Sequence, residues 1–263
     1  MAEVCSIPYN YEGRLDSIRM EACGGRDQVV VQACSAGWRS YEEPMPVVLL
    51  RLIGRTPCAF IDIGANTGFY TLIAAKAGAV ALHAFEPVPF IAKILIANIQ
   101  HNFSDANKAI QVYNYALSNQ SGETCLYLPL QNHGLIETSA SLNPQFRHEH
   151  SDVFKVNVTT LDDHLELEPI ARELSLVIKI DVESFEPQVL EGAAKTICKR
   201  RPAILLEILP GAELDFYQNW IVKYNYKHYQ LLPPNNIIAA KNIETSLFCR
   251  DHLLLPEEYE MPF

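Results

Sequence analysis

Three short segments place residues capable of chemistry at the ends of apolar runs. The first is Phe60-Ile-Asp-Ile-Gly-Ala-Asn-Thr-Gly68, an apolar run that turns through glycines into a stretch with helical spacing. Gly64 and Gly68 let the backbone pass close to a ligand, and the start of the next helix offers free N–H groups with partial positive charge. Asn66 stands where a dinucleotide-binding turn carries its second glycine, and no Gly-Lys-Ser/Thr follows, so neither that fingerprint nor a P-loop is present. The second segment is Ala84-Phe-Glu86-Pro, with Glu86 18 residues beyond Gly68. A carboxylate at such a strand end can accept hydrogen bonds from both hydroxyls of a ribose. Together the turn and Glu86 read as a nucleoside-binding pair. The third segment is Lys179-Ile-Asp181-Val-Glu183-Ser-Phe-Glu186. A period of two puts Lys179, Asp181 and Glu183 on one side of a strand, opposite Ile178, Ile180 and Val182. Charges on a strand covered on both faces are costly unless they pair or serve a site. In parallel sheets ligands gather outside the carboxyl ends of the strands, where Asp181 and Glu183 should lie.

The elements that must hold these residues follow from periodicity. Strands are expected at Ala59–Ile63, Val80–Phe85, Ile110–Leu117, Leu176–Val182 and Ala203–Leu209. Helices are expected at Phe69–Ala77, Phe90–Asn102, Glu186–Arg200 and Ala212–Tyr224. Gly78 sits where a C-cap belongs, and Pro187 suits a first helical turn. Strands alternating with helices predict an α/β fold with a mostly parallel sheet covered on both faces. Tyr226–Leu232, Ile237–Ala240 and Leu247–Arg250 read as closing strands. Between Ser118 and Asp152 the rhythm breaks: Cys125–Leu130 reads as a short strand and the rest as a polar loop. Val153–Leu161 then reads as a strand. Before residue 58 the pattern is weak, with one short helix expected at Val47–Ile53. The division expected is an extension or cap over 1–57, serving packing and the acceptor side, and a ligand-binding domain over 58–263 with a loop and β insertion at about 118–160.

Composition limits the partners. The 263 residues carry 21 Lys and Arg against 31 Asp and Glu, a formal charge of −10. That balance speaks against a protein that grips nucleic acid, which wants a basic face. No apolar run reaches membrane-spanning length, so no membrane insertion is expected. The seven cysteines include no C-x-x-C pair, and scattered single thiols read as reduced residues in a reducing compartment. Without a secretory pattern at the start, a cytoplasmic location is the expectation. Oligomeric state is not legible.

The segments FIDIGANTGFYT, AFEPVP, TTLDDHL, VIKIDVESFEPQVLEGA and RPAILLEI follow one another in the order and spacing of FkbM-type methyltransferases, which the chain resembles from about Glu42 to Arg250. The resemblance implies a Rossmann-like class I methyltransferase fold with an antiparallel closing strand, and S-adenosylmethionine as methyl donor. It implies a donor seat along Asp62, Gly64, Asn66 and Gly68. Glu86 would hold the ribose, Phe85 and Pro87 would shape the adenine side, and Ala116 and Leu117 would lie near the ring. Asp181 would face the methionine part and the acceptor. The sequence departs from the family at Ser184, where Asp-Val-Glu is usually followed by Gly.

Methyl transfer from a sulfonium mainly requires positioning, helped by a base that takes the hydroxyl proton. Asp181 and then Glu183 are the candidate bases, with Glu186, His133 and His148 behind them. Tyr41, His133 and His148 are candidates for the acceptor side, where Trp38 and Tyr41 could form a wall. Asp181 and Glu183 offer the hard oxygens that Mg²⁺ prefers, but no histidine joins them at ligand spacing, so a metal is not favoured. The expected function is O-methylation of a sugar or natural-product hydroxyl. A non-catalytic methyltransferase-like binding module and a nicotinamide-dependent oxidoreductase are the alternatives.

Overall fold

The computed structural model describes residues 3–103, 109–130, 134–136, 138–147 and 149–260. Its first elements lie where the sequence pattern is weakest. β1 (Val4–Tyr11) and β2 (Arg14–Glu21) form an antiparallel hairpin, followed by α1 (Gln28–Ala36), one 3-10 turn (Trp38–Ser40) and α2 (Met45–Ile53). Only α2 matches an expected element. Asp27 caps α1 by accepting the Val30 N–H, a signal that was present in the sequence. The alternating unit follows as β3 (Cys58–Ile63), α3 (Phe69–Ala77), β4 (Ala81–Phe85), α4 (Pro89–Asn102) and β5 (Ile110–Tyr113).

The expected third strand, Ile110–Leu117, divides. Asn114 turns away to donate from Nδ2 to the Glu86 carbonyl (2.8 Å), and β6 (Ala116–Leu117) joins a second sheet instead. That sheet has the order β6-β8-β7, with β7 (Gly122–Pro129) and β8 (His150–Thr159) as an antiparallel pair. α5 (Leu161–Leu167), which the pattern did not announce, starts at Thr160, whose hydroxyl accepts the Asp163 N–H.

β9 (Ser175–Ile180) returns to the main sheet. The helix expected over Glu186–Arg200 is two helices, α6 (Glu186–Gly192) and α7 (Ala194–Arg200). The break has two visible causes. A side chain at Gly192 would collide with the Ser118 carbonyl, so the chain passes close to β6 there. The Asp162 carboxylate also takes the Lys195 and Thr196 N–H groups (2.8 Å each), capping α7 from another element. β10 (Ala203–Glu207), α8 (Leu214–Tyr224), β11 (Tyr226–Leu232), β12 (Asn236–Ala239) and β13 (Asp251–Pro256) complete the chain. The strand expected at Leu247–Arg250 is a tight turn closed by Ser246–Cys249 backbone bonds, with Leu247 and Phe248 exposed. The buried closing strand is β13, immediately after it.

The main sheet runs β12-β11-β13-β10-β9-β3-β4-β5, with β10, β9, β3, β4 and β5 parallel and β13 antiparallel between β10 and β11. Alternation sends Phe60, Val177 and Leu205 into a core with α2, α3 and the hairpin, and Ile61, Ile178 and Leu206 into a core with α6, α7 and α8. Residues 1–57 are thus bound into the first core through Ile7, Ile18, Met20, Val30, Leu49 and their neighbours.

One cysteine expectation is overturned. Cys5 of β1 and Cys34 of α1 are joined as a disulfide, brought together across 29 residues by a fold that spacing does not reveal. The argument from unpaired thiols to a reducing compartment therefore loses its premise. No described helix is long and apolar enough to cross a membrane.

Candidate active site

A cavity of about 730 Å³ lies at the carboxyl ends of β3, β4, β9 and β10. The turn after β3 forms its floor. Gly64 has φ +81°, and a Cβ there would run into the Asp181 carbonyl, so only glycine fits. The Gly64 and Ala65 N–H groups both donate to the Phe85 carbonyl (3.1 and 2.9 Å), tying the turn to the end of β4. Asn66 donates its N–H to Glu86 Oε2 (3.0 Å), and Val88 donates to Oε1 (2.8 Å). Glu86 lies on the cavity wall, and burial pushes its carboxyl up to about 7. From α4, buried Asn98 gives Nδ2 to the Thr67 carbonyl (2.8 Å) and accepts the Glu21 N–H at Oδ1 (2.7 Å). The amide therefore bridges the turn and the N-terminal hairpin.

Phe85, Pro87, Ala116, Leu117 and Tyr41 all line the cavity, as do Gly64, Asn66, Glu86, Asp181 and Glu183. Asp62 and Gly68 stand behind that wall. Asp62 accepts the Thr71 hydroxyl (2.6 Å), and burial raises its carboxyl against the pull of Lys179. A Cβ at Gly68 would meet the Leu95 side chain, so this glycine serves the approach of α3 to α4. Trp38 packs on Tyr9 with ring centroids 5.0 Å apart and does not reach the cavity. His133 and His148 lie outside the described residues.

Beyond the end of β9 the charged side chains form a row on one face of the sheet. Lys179 is paired in register with Asp62 on β3 and Leu205 on β10, and Glu207 with Asp251 on β13. Asp181, one residue past β9, therefore stands beside Glu207. Lys179 Nζ lies 2.6 Å from Asp181 Oδ2 and 4.6 Å from the Tyr70 ring centre. Burial alone would lower this lysine, but Asp181, Glu42 and Asp62 together raise it above the usual range. Side-chain oxygens of Asp181, Glu183 and Glu207 all lie within 4.8 Å of one another. Glu42, which accepts the Tyr70 hydroxyl (2.7 Å), completes the group.

The strand alternation expected for Glu183 stops short of it. Glu183 and Ser184 take φ +57° and +70°, making a left-handed turn after β9. Glu186, buried at the start of α6, holds that turn by accepting the Val182 and Ser184 N–H groups at Oε1 (3.1 and 3.2 Å). Glu186 thus supports the loop and does not line the cavity. Described residues beyond β7 are tied to the site and to the N-terminal part: buried Ser141 donates to the Glu183 carbonyl (2.6 Å), and Ile136 N–H donates to the Arg26 carbonyl (2.8 Å). Thr138, Ser139, Gln28 and Gln32 add hydroxyls and amides to the wall.

Sequence reasoning missed Glu42, Asn98 and Glu207. Glu207 had a signal: it closes the apolar run Ala203–Leu206 at a strand end, as Asp181 nearly does. Glu42 and Asn98 had none, because their roles depend on contacts distant in sequence.

The sheet order and a cavity at the carboxyl ends of its parallel strands define the class I methyltransferase fold. Residues 62–228 match the methyltransferase FkbM domain, and the chain belongs to that family. Among solved structures, the METTL16 methyltransferase domain shares the fold, with TM-score 0.51, 13% identity, 97% of this chain covered and 87% of that one. A methyltransferase FkbM from Methylobacillus flagellatus aligns with TM-score 0.49 and 16% identity over 75% of this chain, which spans 43% of that protein. An O-methyltransferase from Bacillus cereus, solved with S-adenosylhomocysteine, aligns with TM-score 0.45 and 13% identity, covering 81% of this chain and 80% of that one. No curated protein matches the sequence. Family and fold support an S-adenosylmethionine-dependent methyltransferase.

Proposed function

We propose that the chain is an O-methyltransferase acting on a hydroxyl of a small or glycan-type acceptor, with S-adenosylmethionine seated along the β3 turn. The observation that carries this reading is Glu86, a buried carboxylate on the cavity wall beside a turn whose Gly64 tolerates no side chain. Its oxygens each hold one backbone N–H and keep lone pairs for two ribose hydroxyls. The donor supplies an already activated methyl group when bound. Gly64 and Asn66 would face its methionine part, with Asp62 and Gly68 fixing the turn from behind. Phe85, Pro87, Ala116 and Leu117 would enclose the adenine. Asp181 and Glu183 would orient the acceptor hydroxyl. Tyr41 and the hydroxyl and amide groups of Thr138, Ser139, Gln28 and Gln32 suit a polar, uncharged acceptor. Residues 58–263 would then form the donor-binding unit and residues 1–57 its cap on the acceptor side. The negative balance of the chain weighs against nucleic acid as acceptor.

Incubation with methyl-¹³C donor and a panel of glycosides and phenols tests the reaction type. The expected product carries the label on oxygen and survives mild alkali. Label found only on nitrogen, or in an alkali-labile ester formed on a carboxylate, would refute methylation of a hydroxyl. The mechanism assigns no step to a divalent ion, so turnover in EDTA should match the untreated enzyme.

A further inference from the structure

The carboxylates of the site are not equivalent. Asp181 gives an oxygen to buried Lys179 at 2.6 Å and is committed to that pair. Glu207 lies equally on the cavity wall, buried, and pairs at 3.4 Å with Arg250, whose side chain is 41% exposed. Along the sheet it is flanked by Asp181 after β9 and Asp251 on β13. Glu183 faces it from the left-handed turn and Glu42 from the segment before α2. Lys179 and Arg250 are the cations among these neighbours.

We propose that Glu207 is the group that takes the acceptor's hydroxyl proton, and that it becomes free to do so only while a cationic donor occupies the cavity. This rests on the donor and reaction proposed above. In the free protein, carboxylate oxygens of Asp181 and Glu183 lie within 4.8 Å of one on Glu207, and burial followed by the charges of Asp181, Glu183, Glu42 and Asp251 raises the Glu207 carboxyl well above the usual carboxylate range, which favours its protonated form. A positive charge in the same cavity offsets that repulsion and lets Glu207 ionise. In the displacement, the acceptor oxygen's electron pair forms the new bond to carbon, the carbon–sulfur pair stays on sulfur, and the hydroxyl proton passes to Glu207. With the sulfur then neutral, Glu207 keeps the proton it has taken.

Calorimetry tests this without an acceptor. S-adenosylmethionine and S-adenosylhomocysteine are titrated at neutral pH in two buffers of different ionisation enthalpy, which counts the protons released by each. Glu86 would meet the ribose of both ligands alike, so the difference between them isolates the response to charge. S-adenosylmethionine should release up to about one proton more than S-adenosylhomocysteine. Glu207→Gln should abolish that excess without changing the count for S-adenosylhomocysteine, while Glu42→Gln should retain it. Equal proton counts in the wild type overturn the proposal, and that comparison stands even if a variant fails to fold. Loss of the excess in Glu42→Gln but not in Glu207→Gln also overturns it. Absence of binding by either ligand would instead defeat the donor site itself.

Discussion

Ser184 carries a side chain at φ +70°, a backbone region that costs L-residues about 1–2 kcal/mol. Ser184→Gly should therefore stabilise the protein by about 1 kcal/mol, and Ser184→Val should destabilise it by a similar amount, both readable by chemical denaturation. The loop forms despite the departure from the family pattern because Glu186 accepts the N–H groups on both sides of Glu183. Glu86 gives a second residue-scale prediction. Its carboxyl ionises near 7, against about 4.5 when unburied, so its ionised, acceptor-only form gains population as pH rises through 7. Affinity for S-adenosylhomocysteine should improve several-fold between about pH 6 and about pH 8 and then level off. Glu86→Gln should remove the trend, and a flat wild-type profile would contradict it. Without ligand the sign is opposite: a raised carboxyl contributes stability below its unfolded value and loses it as pH rises through 7. Glu86 and Asp181 were legible because each follows an apolar strand in a recognisable setting. Glu42 was not, since only folding carries it over to Lys179 and Asp181.

At the scale of elements, the site depends on how two helices meet a turn. Asn98 on α4 is fully buried and holds both the Thr67 carbonyl and the Glu21 N–H. Asn98→Ala would leave both partners unsatisfied in the interior, at about 2–4 kcal/mol in total. The expected outcome is a lowered denaturation midpoint together with weaker donor binding, because the β3 turn loses its outer support. A variant that loses neither would show that the bridge is redundant. The sequence announced the strands and helices around this turn well, because a parallel sheet makes long apolar runs and regular crossovers. It announced the N-terminal elements poorly, because β1 and β2 pair mainly with each other and present mixed exposure. The split of the α6–α7 helix was likewise hidden, since its causes, Ser118 and Asp162, lie on other elements.

At the scale of the whole molecule, two buried histidine pairs among the described residues set an acid limit. His83 Nδ1 and His164 Nε2 are 2.8 Å apart beneath β4, and His228 Nε2 and His252 Nδ1 are 2.9 Å apart across β11 and β13. Burial lowers His83, His164 and His228 to about 4 and His252 to about 3. These groups favour the fold fully above about pH 6.5 and progressively less as pH falls toward 4, because the unfolded chain binds protons first. His83→Asn with His164→Asn should flatten the acid limb of the stability curve over that window, by a difference of up to two protons in slope. An unchanged slope would mean the rings are not held neutral. The composition said nothing of these pairs, just as the −10 charge spoke against a polyanionic partner without pointing to Glu86. In the proposed function the cavity seats S-adenosylmethionine with Glu86 on its ribose. Calorimetric titration of S-adenosylmethionine into the wild type and Glu86→Ala tests it most directly. The wild type should bind, and the variant should lose roughly 10-fold or more in affinity, the worth of hydrogen bonds to a charged group. No binding by the wild type, or equal affinity in the two proteins, would contradict it.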